Sequence, residues 1–433
     1  MASAQEPFRI DDAELQRIVD KMVPLVEKHT GRKFDEPPTV LLSDSKEMAE
    51  ALTDDLFISY RKLAPESDED RMRWYAEFHA HALAPGFFGK FGISNEELYV
   101  EPEKVSLTLG ALEHDLALCQ PLFELIVAHE LVHAMQHQEI DLLQTLDAID
   151  DQGRLHSFNA RIEGHAVFVH ERIARELGYE AAADLFRALN GLDDESGNTS
   201  SQHMFIMRSN RQIAQTHYLT GAERIAELFA AGGHDRIWQE MQSELPPSRA
   251  IFRPIDDPDL QPITDYSGVL EGAEQVFGQR KWIVMRSNVS EAMLRSENCH
   301  AENLDSLMRS FRGGEFCECV LRGVTQRGTA SAMAFADAEA ARQFVKSSEE
   351  STAVDAGRAR ATETHFCAIE CPDGMTGRRY EQKPERMGGA MRGNLLWLQQ
   401  DRYVLQIFSM GLAVEDKDAI ALATKVFARM RKR

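Results

Sequence analysis

The segment Ala128-His129-Glu130-Leu131-Val132-His133 sets two histidines four residues apart, with a glutamate directly after the first. On an α-helix a four-residue step turns through about 400°, so both imidazoles leave nearly the same face, one turn apart. Two neutral ring nitrogens at about 2.0–2.1 Å from one ion are ordinary zinc chemistry. Glu130 would stand beside that ion instead of on it, where a carboxylate can take a proton from an activated water. Leu122, Leu125, Ile126, Leu131, Val132 and Met135 make this the most apolar helical stretch of the chain. Histidine and glutamate are unwelcome in such company unless something binds them. The plain alternative is a polar stripe facing solvent, and the apolar flanks speak against it.

A catalytic zinc site needs a third protein ligand and a fourth position open to water. His137 lies a further turn down the same helix, too far along the axis to share one ion with both other histidines. The residue six positions after His133 is Glu139, so the long-spaced third histidine of a metzincin is absent. Glu163 is the favoured ligand. It lies in Arg161-Ile162-Glu163-Gly164-His165-Ala166, within an apolar helical pattern over about 155–177 that Gly178 closes. Gly164 is costly inside a helix unless another backbone must come close. His165 and His170 share this helix and are expected behind the ligands or at the surface.

The pattern HEL-x-HA-x-Q-x-Q followed by an EG-x-A helix resembles the gluzincin metallopeptidases, in particular a set of bacterial zinc-peptidase-like proteins. His129, Glu130, Leu131, His133, Ala134, Gln136, Gln138, Glu163, Gly164 and Ala166 carry the resemblance, which spans roughly residues 90 to 255. It implies a zincin-like fold, one Zn²⁺ per chain on His129, His133 and Glu163, and Glu130 as general base. Looser downstream matches are Tyr218-Leu219-Thr220-Gly221, Gly232-Gly233 and Pro246-Pro247-Ser248, while Arg253-Pro254 departs from the family's His-Pro.

The implied activity is zinc-dependent hydrolysis of peptide bonds in a peptide or protein substrate. Glu130 would accept the water proton and pass it to the leaving amine, and an oxyanion donor would be needed besides the ion. Tyr218 is the candidate donor and His217 the alternative. Val105 to Leu109, read as a strand paired with Leu98 to Val100, would offer an edge for an extended peptide. The competing function is a non-catalytic zinc-binding or partner-binding module on the same fold.

The elements that must position these residues follow from periodicity and breakers. Helices are expected near 12–26, with Pro24 a kink or division, then over 46–63, 69–83, 121–138, 155–177, 181–189, 202–231 and 235–244. A short strand is expected at 39–42. Phe252 to Gly268, with Pro254, Pro258 and Pro262 among aspartates, reads as a linker. Beyond it, strands are expected at 282–285, 316–321, 330–335, 365–369, 395–399 and 403–408, with helices at 302–311, 337–346 and 416–430. The expected class is α+β, with a mainly helical zincin-like domain carrying a small sheet over 1–265 and a smaller α+β domain of unassigned role over 269–433.

A chain of 433 residues is too long for one ordinary core. A net charge of −22 argues against nucleic acid as partner. Six cysteines in this length make no disulfide scaffold. Cys317 and Cys319 share a strand face, and a tetrahedral set with Cys367 and Cys371 is a poor match to zinc spacing. No apolar run is expected to reach the roughly 20 residues of a membrane span. The opening MASAQEPFRI lacks a signal peptide's charged and apolar regions. A cytoplasmic protein is expected, with export after removal of a signal peptide as the alternative.

Overall fold

The computed structural model describes residues 8–65, 67–189, 213–245, 251–252, 263–278, 280, 282–298, 301–321, 326–358, 364–382 and 393–433. The fold is α+β, with a helical N-terminal part around a small sheet and a large antiparallel sheet after it.

The helices of the N-terminal part begin and end on residues suited to the purpose. In α1 (Asp12–Thr30) the Asp11 side chain accepts from the Glu14 amide, and Gly31 closes the helix in a left-handed conformation. Pro24 sits inside this helix, which continues unbroken past it. Asp44 and Glu47 form a capping box for α2 (Ser45–Arg61), and Asp68 caps α3 (Glu69–Leu83). The small sheet contains β1 (Thr39–Leu42), β2 (Gly89–Gly92) and β3 (Glu97–Val100) in the order β1-β3-β2. The strand β1 runs parallel to β3, whereas β2 is antiparallel to it and forms an edge.

Two sequence expectations fail here. Residues 105–109 are helical, inside α4 (Pro102–Ala111), so the expected hairpin partner and its edge do not exist. Pro102 suits the first turn of a helix, and the buried positions Val105, Ser106 and Leu109 have helical spacing. The true partner of β3 is β2, whose Gly-Lys-Phe-Gly pattern carries almost no strand signal. The second failure concerns apolar length. The stretch Leu116–Ile140, most of it α5 (Cys119–Ile140), is long and apolar enough by composition to cross a membrane. It is mostly buried inside the protein, as the central core helix.

Around α5 pack α6 (Leu142–Asp147), α7 (Gln152–Leu177) and α8 (Glu180–Leu189). After residues 190–212, which lie outside the described set, a π-helical turn over Thr216–Thr220 leads into α9 (Gly221–Met241). The helix α9 breaks at Gly232 and Gly233, where the sequence reading separated two helices. Its start crosses α7 at backbone contact. A Cβ added to Gly164 would fall 2.3 Å from the Gly221 carbonyl carbon, and one added to Gly221 would fall 2.2 Å from the Ala160 oxygen. The costly Gly164 is therefore explained by a second backbone pressed against it.

The large sheet has the order β4-β5-β6-β10-β9-β8-β7 and is antiparallel throughout. Its strands are β4 (Trp282–Asn288), β5 (Phe311–Leu321), β6 (Arg327–Phe335), β7 (Thr364–Ile369), β8 (Thr376–Gln382), β9 (Gly393–Gln400) and β10 (Tyr403–Met410). The helices α10 (Glu291–Glu297), α11 (Leu304–Ser310), α12 (Ala338–Arg358) and α13 (Asp416–Met430) accompany it. Cys317 and Cys319 are free thiols in the core, whereas Cys367 is exposed. Of the expected linker, residues 253–262 lie outside the described set, and Tyr266 is already buried in the core of the large sheet. The two parts meet where Ile283, Met285 and Val320 pack on Phe57, Met72 and Tyr75. The Asp151 carboxylate, which caps α7, also accepts from the Asn288 amide at 3.0 Å, so α7 is tied to the sheet at its first turn.

Gly164→Ala places a methyl group against the Gly221 backbone and is expected to cost about 3 kcal/mol or more. Urea unfolding would measure it; a variant within about 0.5 kcal/mol of the parent would contradict the close crossing.

Candidate metal centre

The helices α5 and α7 bring three donor atoms together. His129 Nε2 lies 3.2 Å from Glu163 Oε2, and His133 Nε2 lies 3.4 Å from the same oxygen. The two imidazole rings stand nearly perpendicular, with centroids 4.9 Å apart. An ion bound tetrahedrally at about 2.0–2.1 Å has ligand atoms about 3.3–3.4 Å from one another. The two separations, 3.2 and 3.4 Å, lie close to that value. The potential ligand atoms of His129, Glu130 and His133 also lie within 4.8 Å of one another, and this is the metal-capable cluster found among the described residues. The donors present therefore fit a divalent ion.

Charge accompanies the geometry. Burial alone would raise the Glu163 carboxyl, but His133 and His129 beside it hold it well below the usual carboxylate range. Burial would lower His133, yet the charge and hydrogen bond of Glu163 outweigh it and raise its pKa. Each shift is thus set by the groups on the facing helix.

Glu130 is held from the neighbouring sheet. Its Oε2 accepts from the Phe91 amide of β2 at 2.7 Å. Gly89 permits this closeness, because a Cβ there would fall 2.8 Å from Ile126 Cγ2 and 3.1 Å from Glu130 Cγ. Sequence reasoning missed the neighbouring Lys90. Its ammonium bridges Asp55 at 2.8 Å and donates to the Phe91 carbonyl. Burial works against that charge, but Asp55, then Glu130 and Glu163, raise its pKa. Asp55 in turn accepts from the Ile93 and Ser94 amides. Nothing in the residue spacing announces this pair, because it links α2 to a strand that lies beyond the whole of α3.

Tyr218 stands over the site. Its ring stacks on His129 at 6.0 Å and 12°, and burial, with Glu163 and Glu130 nearby, raises its pKa well above the phenol range. The candidate His217 instead bonds His156, Nε2 to Nδ1, at 3.1 Å. His137 turns to Glu96 at 3.6 Å and not to the ligand cluster. Behind the two imidazoles, His170 Nδ1 meets His129 Nδ1 at 3.1 Å, and Gln136 meets His133. Pro246, Pro247, Ser248, Arg253 and Pro254 lie outside the described residues.

No family model matches this chain. No curated protein matches it either. Among solved structures, a protein from Chloroflexus aurantiacus described as "a putative hydrolase with a novel fold" aligns with 57% of this chain and 90% of its own, at 17% identity and a TM-score of 0.39. A likeness at that level assigns neither fold nor activity.

The buried pair His156 and His217 makes stability pH-dependent. Burial, with mutual repulsion, lowers His156 to about 3, and burial lowers His217 to about 4. A histidine depressed in the folded state contributes fully above its unfolded value near 6.5 and loses that contribution as pH falls toward the folded value. Each group then costs about 1.4 kcal/mol per pH unit within that window. Unfolding free energies at pH 7, 6 and 5 are expected to fall steeply, and His156→Asn to flatten the slope by about one proton. An unchanged slope in that variant would contradict the assignment.

Proposed function

We propose that this protein is a zinc-dependent hydrolase that cleaves peptide bonds, built on a zincin-like arrangement of the gluzincin type. The observation that carries the reading is the placement of one carboxylate oxygen, Glu163 Oε2, within 3.4 Å of Nε2 on both histidines of an HExxH helix. Further support comes from the edge strand β2 alongside that helix and from Glu130 between the two. Two imidazoles and a carboxylate suit zinc, with a fourth position for water. Bound there, zinc supplies Lewis acidity and makes water nucleophilic near neutral pH.

The chain's own residues divide the remaining work. Glu130 accepts the proton of the attacking water and hands it to the leaving amine. The Phe91 amide holds one Glu130 oxygen and leaves the other to take the proton. The Tyr218 hydroxyl, kept protonated by partial burial and by the Glu163 and Glu130 charges, donates to the oxyanion that develops on the substrate carbonyl. The outer edge of β2 offers a main-chain rim for an extended peptide.

A second reading, a non-catalytic zinc-binding or partner-binding module, draws support from the same contact. Glu130 has a structural task in holding Phe91, so its presence has an explanation other than catalysis. Turnover separates the two.

Elemental analysis is expected to give about one zinc per chain, lost in His129→Ala; full metal retention by that variant would refute the ligand set. Glu130→Gln keeps an acceptor for the Phe91 amide, so fold and metal are expected to persist while hydrolysis of a peptide library falls at least about 100-fold. Equal cleavage by parent and variant would remove the general-base role. A zinc-loaded parent that cuts no member of the library would favour the module.

A further inference from the structure

We infer that Gln136 is a positioning residue that locks His133 in the tautomer able to bind a metal through Nε2. The inference rests on the zinc reading above. Gln136 is fully buried on α5, one turn beyond His133. Its side-chain nitrogen donates to the Ile162 carbonyl at 2.9 Å. A backbone carbonyl only accepts, so this contact fixes which end of the amide is nitrogen. The oxygen must then be the end 2.9 Å from His133 Nδ1. Because that oxygen also only accepts, His133 Nδ1 carries a proton. The lone pair available for an ion is therefore on Nε2, the nitrogen facing Glu163.

The same nitrogen of Gln136 lies 3.2 Å from His165 Nδ1, which assigns His165 the accepting role at that atom. His165 is wholly buried and its ring meets Trp238 edge-on at 5.2 Å, so its place beside Gln136 is fixed by packing. The chain of assignments begins at Ile162, one residue before Glu163. The helix that delivers the third ligand thus also sets the tautomer of the second.

Among the described residues His129 has no such lock. Its Nδ1 faces His170 Nδ1, and either imidazole can be the donor in that pair. Both rings are buried and flanked by Phe186. The outer contacts of the two ligand histidines therefore differ in kind: one orients by its chemistry, the other adapts. Across metal sites, loss of such an outer partner loosens metal binding about 10- to 100-fold.

The test is zinc affinity, measured by competition with a chromophoric chelator, together with the visible spectrum of the cobalt(II) form. Gln136→Leu removes the acceptor behind His133 and is expected to weaken zinc binding at least about ten-fold with altered cobalt bands. Gln136→Glu keeps an oxygen toward His133 and is expected to stay within about three-fold of the parent, with the parent's bands. His165→Leu leaves Gln136 anchored on Ile162 and is expected to retain parental affinity. A folded Gln136→Leu chain that binds zinc within about three-fold of the parent overturns the inference alone. Equal loss in Gln136→Leu and His165→Leu would do the same, since it would reflect general core damage. If the unaltered chain binds no zinc, the metal reading itself falls first.

Discussion

The structure hangs on one crowded contact between helices, where a carboxylate from α7 is pressed between two imidazoles from α5. Burying a carboxylate is costly unless opposite charge or donors meet it, and burying imidazoles in apolar surroundings strips them of water. Here each group relieves the other, which is why the Glu163 carboxyl is held low and the His133 imidazole is raised despite burial. For that contact to form, α7 must be held at a fixed height against α5. The backbone crossing at Gly164 and Gly221 provides one stop, since no side chain fits between the two. The capping carboxylate Asp151 provides another, by joining the start of α7 to the edge of the large sheet.

The same crossing explains why Tyr218 reaches the site. A π-helical turn places one extra residue in the stretch just before Gly221, and such turns are rare enough to suggest a positional demand. The result turns Tyr218 onto His129 and His217 onto His156. On the opposite side, β2 closes on α5 through Gly89, and its Phe91 amide and Lys90 ammonium meet the site's carboxylates as hydrogen-bond donor and as charge. The cluster is thus flanked by main chain on one side and by rings on the other, with the Glu163 side chain still partly exposed.

The failures of sequence reading share a cause. Ser106-Leu107-Thr108-Leu109 alternates polar and apolar residues, which over so short a stretch fits strand and helix alike. Packing against α5 chose the helix. Strand β8 carries Arg378 and Arg379 and looks like a solvated loop in one dimension. In the fold, those arginines pair with Glu349 of α12 and Asp416 of α13, so the strand is stabilised by partners far along the chain. Lys90 and Asp55 were equally illegible, because an ion pair between a strand and a distant helix leaves no local period.

By itself the sequence determined what a helix makes inevitable: His129 and His133 on one face, Glu130 beside them, and a second apolar helix presenting Glu163 next to a glycine. Those are consequences of a 3.6-residue repeat, which acts within a few turns and needs no neighbours. Only the tertiary structure decided which oxygen meets which nitrogen, that β2 supplies a donor to Glu130, and that Gln136 reads the Ile162 carbonyl. These depend on how two helices and a strand settle against one another, and side-chain packing at that scale is set by the whole core.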